Sequence, residues 1–593
     1  MTNYSLHRTS VEGSDARPLR IVVVGGVAAG ASAATKARRT DEDAEILVFE
    51  SGAYVSFANC GLPYYVGREI ENLDDLLLMT PERFAERFRI EVRLRSEVVR
   101  IDRQSRRVEV VSHATGERYT QAYDRLILAT GGAPVIPPID GIRRPGVFPL
   151  TTVPQAVAVR EWTSRPSVRQ VAVVGAGFIG LEAVEALLRL GLETHLVEML
   201  PQVLPPLDPE MARPLATHLE AQGAQLHLGQ TVVRFIGDGD SGSLRAVELA
   251  SGERVPAQLA IVSIGVLPEV ALAREAGLEI GPSGGVVVDS AMLTSDPAIY
   301  AAGDIVEVPS RVTGRKVRLP LAGPANKEGR VAGANAAGGS LVFPGVVGTS
   351  IVRICALTAG MTGLSEREAR RAGFDPLLAY VHANDHAGYY PGATPISIKL
   401  IADRQTGRLL GAQAVGEKGI DKRIDVFATA LYAGLSVEDL EGLDLAYAPP
   451  FGSAKDAAIQ AGFVAANQFR GEVEAISVVQ LAERLDSARP PVVLDVRTPS
   501  EYAEGHILGT RLFPLDDLRD LLGEVRELLG PPSEADTVVV YCGVGYRSYH
   551  ATKILAHAGY RALNLGGGFT SWRAAYPERV EAGAYTQELL ATT

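Results

Sequence analysis

Apolar residues run along the chain in short, interrupted stretches, and two of these stretches repeat one design. Leu19 to Val24 is a β-branched run ending in Gly25-Gly26-Val27-Ala28-Ala29-Gly30; small, helix-compatible residues follow, then a second apolar run, Glu45 to Phe49, closing on Glu50. In the same way Gln170 to Val174 leads into Gly175-Ala176-Gly177-Phe178-Ile179-Gly180, a helix over Leu181 to Leu190, and a strand Thr194 to Val197 closing on Glu198. Each predicts strand, tight turn, helix and strand, with an acidic residue at the end of the second strand. Residues 345–468 mix strand and helix patterns. From about Gly471 the pattern restarts with a helix over Val478 to Leu485, a Pro490-Pro491 break, and strands over Val492 to Val496 and Val538 to Tyr541; polar Asn467 to Glu474 reads as the linker between these blocks.

The repeated unit has a physical logic. Glycines let the backbone approach a pyrophosphate, the helix N-terminus offers unpaired N–H groups, and the carboxylate accepts ribose hydroxyls. The second copy keeps the whole GxGxxG spacing, with 23 residues from Gly175 to Glu198; the first has Val27 at the usual middle glycine. Two copies imply two dinucleotides. A third segment, Ile299-Tyr300-Ala301-Ala302-Gly303-Asp304, resembles the strand of two-dinucleotide flavoproteins that sets an aspartate on the flavin's ribityl chain, and Leu126 to Gly132, with Ala129-Thr130-Gly131, resembles its companion crossing. This resemblance implies FAD at the first unit and a nicotinamide cofactor at the second. Glu198 repels a 2′-phosphate and no Arg or Lys lies between Met199 and Ala212, which favours NADH, with NADPH still possible.

Composition narrows the setting. At 593 residues the chain is too long for one core and implies three to five domains. A net charge of -12 leaves no basic surplus for nucleic acid. No apolar run reaches the ~18 to 20 residues of a membrane helix; the best, around Leu259 to Leu272, holds Pro268 and Glu269 and reads as strand plus turn. Met1 to Pro18 is polar, lacks the core of a secretion signal and reads as a flexible tail. Three cysteines with no CxxC pair exclude a disulfide framework and point to a reducing cytoplasm, so any disulfide chemistry pairs one protein sulfur with one from outside.

Cys60, in Ser56-Phe57-Ala58-Asn59-Cys60-Gly61-Leu62-Pro63-Tyr64, follows the first nucleotide unit and is expected at the start of a helix, where thiolate is stabilised. This segment, with His382-Ala383-Asn384-Asp385-His386-Ala387-Gly388-Tyr389-Tyr390-Pro391 and Tyr447-Ala448-Pro449-Pro450-Phe451, resembles the coenzyme A disulfide reductases over about residues 19–468. The resemblance implies that Cys60 is the redox nucleophile and that Tyr389 and Tyr447 reach it from the partner subunit of a homodimer, Tyr390 packing beside Tyr389. It implies an aromatic gate at Phe178, which packing of the turn explains equally well. It places coenzyme A, as substrate or bound thiol carrier, on Ser32, Lys36, Arg39, Ser56, Asn59 and Lys455, where the charged residues also read as solvated surface; Phe88 falls near the place of a further family lysine.

Asp495-Val496-Arg497, Glu501-Tyr502 and Gly505-His506-Ile507, followed by Tyr541-Cys542-Gly543-Val544-Gly545-Tyr546-Arg547-Ser548, resemble a rhodanese domain over about 472–583. The six residues from Cys542 to Arg547 make a loop whose N–H groups suit an anionic persulfide better than phosphate. Cys355, in the apolar run Ser350 to Leu357, reads as core filler. His382 and His386 invite a metal, but their segment, with Gly388 and Pro391, reads as an ordered loop, and no metal is expected.

The expected architecture is α/β, with two Rossmann-like dinucleotide-binding domains (FAD and NAD(P)H), an α+β dimerisation domain and a C-terminal α/β rhodanese domain. The boundaries read as a tail 1–18, an FAD-binding domain in two parts (19–150 and 266–343), an NAD(P)H-binding domain 151–265, a dimerisation domain 344–468 and a rhodanese domain 472–583. The expected activity is NAD(P)H-dependent reduction of coenzyme A disulfide, coenzyme A persulfide or polysulfide through Cys60, with Cys542 handling sulfane sulfur. The rivals are an NADH oxidase or peroxidase using a Cys60 sulfenic acid, and a sulfurtransferase whose flavin half senses redox state.

Overall fold

A computed structural model describes residues 17–239, 242–532 and 537–583. The expected tail falls outside these, apart from Arg17 and Pro18; Arg17 pairs with Asp124 at 2.6 Å.

Buried β-branched runs form the centre of each nucleotide unit. In the first, five parallel strands lie in the order Ile299–Ala301, Arg125–Leu128, Arg20–Val24, Glu45–Phe49, Ile90–Arg93. Parallel strands covered on both faces need continuous apolar sequence, and Ile21, Val22 and Val23 are fully buried. The second unit repeats the plan: Gln225–Leu228, Glu193–Glu198, Gln170–Val174, Leu259–Val262 and Val147–Phe148, all parallel. Helices Ala28–Thr40 and Phe178–Arg189 start directly at the two glycine turns. Gly25 has φ +94°, and a Cβ there would lie 2.1 Å from the Ala129 carbonyl oxygen, so only glycine allows this crossing.

Five antiparallel strands follow, in the order Ser350–Ile354, Leu357–Gly363, Leu409–Gly416, Pro395–Asp403, Pro376–Asn384, backed by helices Ile420–Ala433 and Ala457–Phe469. The C-terminal domain has a parallel sheet ordered Glu474–Ile476, Arg561–Leu565, Thr537–Tyr541, Val492–Asp495, Arg511–Leu512. No helix among the described residues is long and apolar enough to cross a membrane.

Three local expectations are corrected. The linker is shorter than Asn467 to Glu474: Asn467 closes into helix Ala457–Phe469, because its apolar stripe continues to Phe469, and Glu474 already starts a strand. Cys355 is not strand core but sits at φ +55° in the two-residue turn between Ile354 and Leu357, half-buried. His382 and Asn384 belong to strand Pro376–Asn384 rather than a loop, held by pairing with Ser397 and Pro395; the loop begins at Asp385.

Polar side chains join the domains. Lys399, fully buried, places Nζ 2.9 Å from Asp208, 2.5 Å from Glu210 and 2.8 Å from Glu366. Asp208 and Glu210 come from the second nucleotide unit, so this node ties that unit to the antiparallel sheet, and the ammonium occupies the centre of the carboxylate group. Beside it Tyr380 donates to Glu210 at 2.7 Å. His382, on the same strand, contacts Ser397 at 2.8 Å through Nδ1 and Ser571 of the C-terminal domain at 2.7 Å through Nε2.

Burial pushes His382 down to about 4. An unfolded histidine titrates near ~6.5, so the unfolded chain binds the extra proton, and stability present above that pH is lost as pH falls towards the folded value. The shift sets a ceiling of about 3 kcal/mol on the loss. Calorimetry between pH 7 and pH 4 should show the C-terminal domain loosening, and His382→Gln should flatten that dependence.

Candidate active sites

The glycine turns open onto two cavities with a common wall. The first, about 780 Å³, is lined by Gly25, Val27, Ala28, Glu50, Ala129, Thr130, Gly131, Gly303 and Asp304. The second, about 1030 Å³, is lined by Cys60, Gly175, Gly177, Phe178, Glu182 and Glu198. Asn59, Gly132, Pro134, Thr151 and Asp304 border both. Gly30 and Gly180 stand behind the turns: a Cβ on either would come within 2 Å of a carbonyl oxygen, at 1.8 Å from Gly25 and 1.9 Å from Gly175.

The two acidic residues do more than face a ribose. Glu50 accepts from the N–H groups of Gly26 and Gly52, both at 2.8 Å. Glu198 accepts from Ala176 at 2.7 Å and Leu200 at 2.9 Å. Each carboxylate ties its glycine turn to the end of the second strand and keeps lone pairs for hydroxyl donors. Gly303 has φ +86° and donates to Glu328 at 2.8 Å; burial raises the Glu328 carboxyl to about 7. An open, glycine-cradled cavity with carboxylates at Glu50 and Asp304 fits FAD, and its neighbour, bounded by Glu198, fits a nicotinamide dinucleotide.

Cys60 sits on the short 3₁₀ turn Asn59–Gly61, ahead of the five-residue helix Leu62–Val66. Asn59 Oδ1 accepts from the Cys60 N–H at 3.1 Å and lies 3.7 Å from Sγ. The expected low thiol pKa is corrected: burial first, then Glu182 and Asp304, push this thiol up. The cause is composition of the wall, two carboxylates and apolar surface, and so short a helix does not outweigh it. Glu182, itself raised by burial, accepts from Tyr64 Oη at 3.1 Å. Neither was singled out from the sequence; Glu182 lies four residues after Phe178, on the helix face that looks back at the turn. Glu182→Gln should therefore lower the Cys60 titration and speed its alkylation severalfold at neutral pH, read as an iodoacetamide pH profile.

In the C-terminal domain the strand Thr537–Tyr541 delivers Cys542, buried, to a loop that opens the helix Tyr546–His557. The Gly545 N–H lies 3.2 Å and Ser548 Oγ 3.5 Å from Cys542 Sγ. Arg547, five residues after the cysteine, is bound through two nitrogens to Glu501.

Residues 19–329 match the family described as pyridine nucleotide-disulphide oxidoreductase. Residues 349–459 match its dimerisation domain and 477–575 a rhodanese-like domain. An NAD(P)H sulfur oxidoreductase (CoA-dependent) of Pyrococcus abyssi is 38% identical over 437 residues, 74% of this chain and 96% of that one. The chain belongs to the pyridine nucleotide-disulphide oxidoreductases. Two solved structures span the rhodanese-like domain as well. Reduced Bacillus anthracis CoADR-RHD has a TM-score of 0.90 at 40% identity, covering 96% of this chain and 99% of that one. An NAD-dependent persulfide reductase from A. fulgidus has a TM-score of 0.85 at 38% identity, covering 93% and 100%.

Within this oxidoreductase the expected substrate residues are dispersed. Asn59 borders both cavities; Ser32, Lys36, Arg39, Ser56 and Lys455 line neither. Ser32 Oγ bonds Asn326 at 2.6 Å. Lys36 is lowered by burial and by neighbouring Arg330 and Arg39, so these three cations share one surface of the paired helices Ala28–Thr40 and Ala322–Ala336. Ser56 holds φ +48° and bonds through its backbone to Gly26 and Leu78. Tyr389 and Tyr447, 76% and 48% exposed, bond each other at 2.9 Å and line neither cavity of their own chain. Tyr390 packs edge-on against His386.

Proposed function

We propose that this oxidoreductase uses NAD(P)H, preferring NADH, to reduce coenzyme A disulfide, coenzyme A persulfide or polysulfide at Cys60, while Cys542 handles sulfane sulfur. The observation that carries this reading is the position of Cys60 on the second cavity beside the shared wall, with neither Cys355 nor Cys542 lining either cavity. A lone thiol there needs a sulfur brought by the substrate. The names of the relatives, a CoA-dependent sulfur oxidoreductase and a persulfide reductase, support the same substrates.

Gly25, Val27, Ala28, Glu50, Ala129, Thr130, Gly131, Gly303 and Asp304, which line the first cavity, would hold FAD, and bound there it would supply electrons from NAD(P)H for reduction of the sulfur. Cys60 Sγ attacks the visiting disulfide or persulfide, whose S–S bond breaks. Asn59 positions the Cys60 backbone for that attack. The leaving thiolate takes a proton from the tyrosine pair; Tyr447 raises the Tyr389 hydroxyl, which stays protonated at neutral pH. Exposed Tyr389 and Tyr447 are free to serve the Cys60 of a second copy, so the working form is a homodimer. Lys36 and Arg39 attract the anionic nucleotide end of coenzyme A, with Ser32, Ser56 and Lys455 along its path. Glu198 supports NADH, and three unpaired thiols fit a reducing cytoplasm.

Stopped-flow reoxidation of NADH-reduced enzyme tests the reading. Coenzyme A disulfide, coenzyme A persulfide or polysulfide should reoxidise it at least about tenfold faster than oxygen or hydrogen peroxide. The reverse order would establish the oxidase or peroxidase reading instead.

A further inference from the structure

The loop from Cys542 to Ser548 contains a single cation, Arg547. Its Nη1 and Nη2 donate to Glu501 Oε2 and Oε1 at 2.7 and 2.5 Å. Glu501 is held on its other side by the N–H and hydroxyl of Thr498, both 3.0 Å from Oε2, as the N3 residue of the capping box on helix Pro499–Glu504. The Arg547 pairing holds Glu501 down to about 2, so it is charged throughout the working range. The ion pair lies against the loop: a Cβ on Gly543 would lie 3.6 Å from Arg547 Nη2 and 4.0 Å from Glu501 Oε1. Beside it, Val544 and Tyr546 are 40% and 70% exposed.

We propose that Cys542 accepts sulfur from an organic persulfide in preference to thiosulfate, and that Glu501 is the residue that sets this choice. The inference rests on the reading of Cys542 as the sulfur carrier and adds its donor. Thiosulfate brings two negative charges within a bond or two of the transferred sulfur and leaves as sulfite, so it needs an uncompensated cation at the loop. Here the cation is already paired and a carboxylate stands beside the loop, a repulsive element of the kind that separates competing ligands. An organic persulfide leaves as a single thiol whose fixed charges lie several bonds from the transferred sulfur, on an arm that Val544 and Tyr546 can cover.

In the transfer, the Cys542 thiolate attacks the outer sulfur of R–S–SH, and the donor's S–S bond breaks. Its electron pair stays on the inner sulfur, which takes the persulfide proton and departs as RSH. Cys542 is left as an anionic persulfide, so one sulfur atom moves, charge is conserved and no oxidant is consumed. The Gly545 N–H donates to the attacking sulfur, as its position 3.2 Å from Sγ allows, and Ser548 Oγ packs beside it at 3.5 Å.

The test uses the full-length holoenzyme with cyanide as final acceptor and thiocyanate as readout, comparing glutathione persulfide with thiosulfate. In the unaltered chain kcat/KM for the persulfide should exceed that for thiosulfate by at least about tenfold, the factor that one repelled charge readily supplies. Glu501→Gln keeps the capping box, since glutamine serves at N3. It should raise kcat/KM for thiosulfate about tenfold and leave the persulfide value within about threefold. Thiosulfate equal to or better than persulfide in the unaltered chain overturns the proposal without any variant, and a Glu501→Gln enzyme that loses both donors alike removes Glu501 as the selector. If neither donor loads Cys542, the sulfur-carrier reading itself fails, while NADH-dependent reduction through Cys60 in the same preparation reports separately on the flavin half.

Discussion

Replacing Cys60 by serine should abolish NADH-dependent reduction of coenzyme A disulfide and persulfide, a loss of at least ~10³-fold in kcat/KM. The hydroxyl has nearly the shape of the thiol, and the Asn59 bond to the position-60 N–H does not involve the sulfur. Flavin content and melting temperature should therefore stay at the unaltered values. No other cysteine lines the cavities to take over. Steady-state NADH consumption with each acceptor is the measurement. A Cys60→Ser enzyme that still reduces coenzyme A disulfide at the original rate removes the central claim.

Cys542→Ser should have the complementary effect. Sulfane transfer to cyanide should fall by ~10³-fold or more, because serine cannot carry a persulfide. Reduction of coenzyme A disulfide should stay within about twofold, since Cys542 follows a strand of a separate sheet and borders neither nucleotide cavity. Its N–H cradle survives the change: the backbone around Gly545 and the Ser548–Asn564 bond at 2.6 Å are untouched. Equal loss in both assays would mean that the two halves do not divide the chemistry. High thiosulfate transfer with negligible NADH turnover in the unaltered chain would favour a sulfurtransferase with a sensing flavin half.

The glycine turns were legible because a pyrophosphate cradle constrains consecutive residues. Gly30 and Gly180 are each required by the carbonyl of the first glycine of their own turn, and Gly25 and Gly175 by the positive φ that each turn needs, so the pattern is written locally. Cys60 and Cys542 stood out in the sequence because each sits in a short motif, Ser56 to Tyr64 and Tyr541 to Ser548, that resembles a known family. Glu182 and Glu328 were not. Both are ordinary helix glutamates until the fold sets one facing Tyr64 beside Cys60 and the other under Gly303. The pairing of Arg547 with Glu501 joins residues 46 apart, and no spacing rule announces it.

The thiol at position 60 shows where local reasoning stops. Its neighbours in sequence suggest a helix start that favours thiolate, yet burial in the cavity wall, and then Glu182 and Asp304 from far along the chain, raise it. The proposed substrate residues behave alike: Ser32, Lys36 and Arg39 share a helix, but none of them lines the cavity that holds Cys60.

By itself the sequence determined the element order, the two glycine turns and the two candidate sulfurs, because these depend on apolar periodicity and on short local motifs. Only the tertiary structure decided the charge state around Cys60, the paired arginine at Cys542, and the lysine and histidine bonds that lock three domains together. Those are sums of Coulomb and desolvation effects from residues distant in the chain, and they exist only once packing has brought the groups together and excluded water.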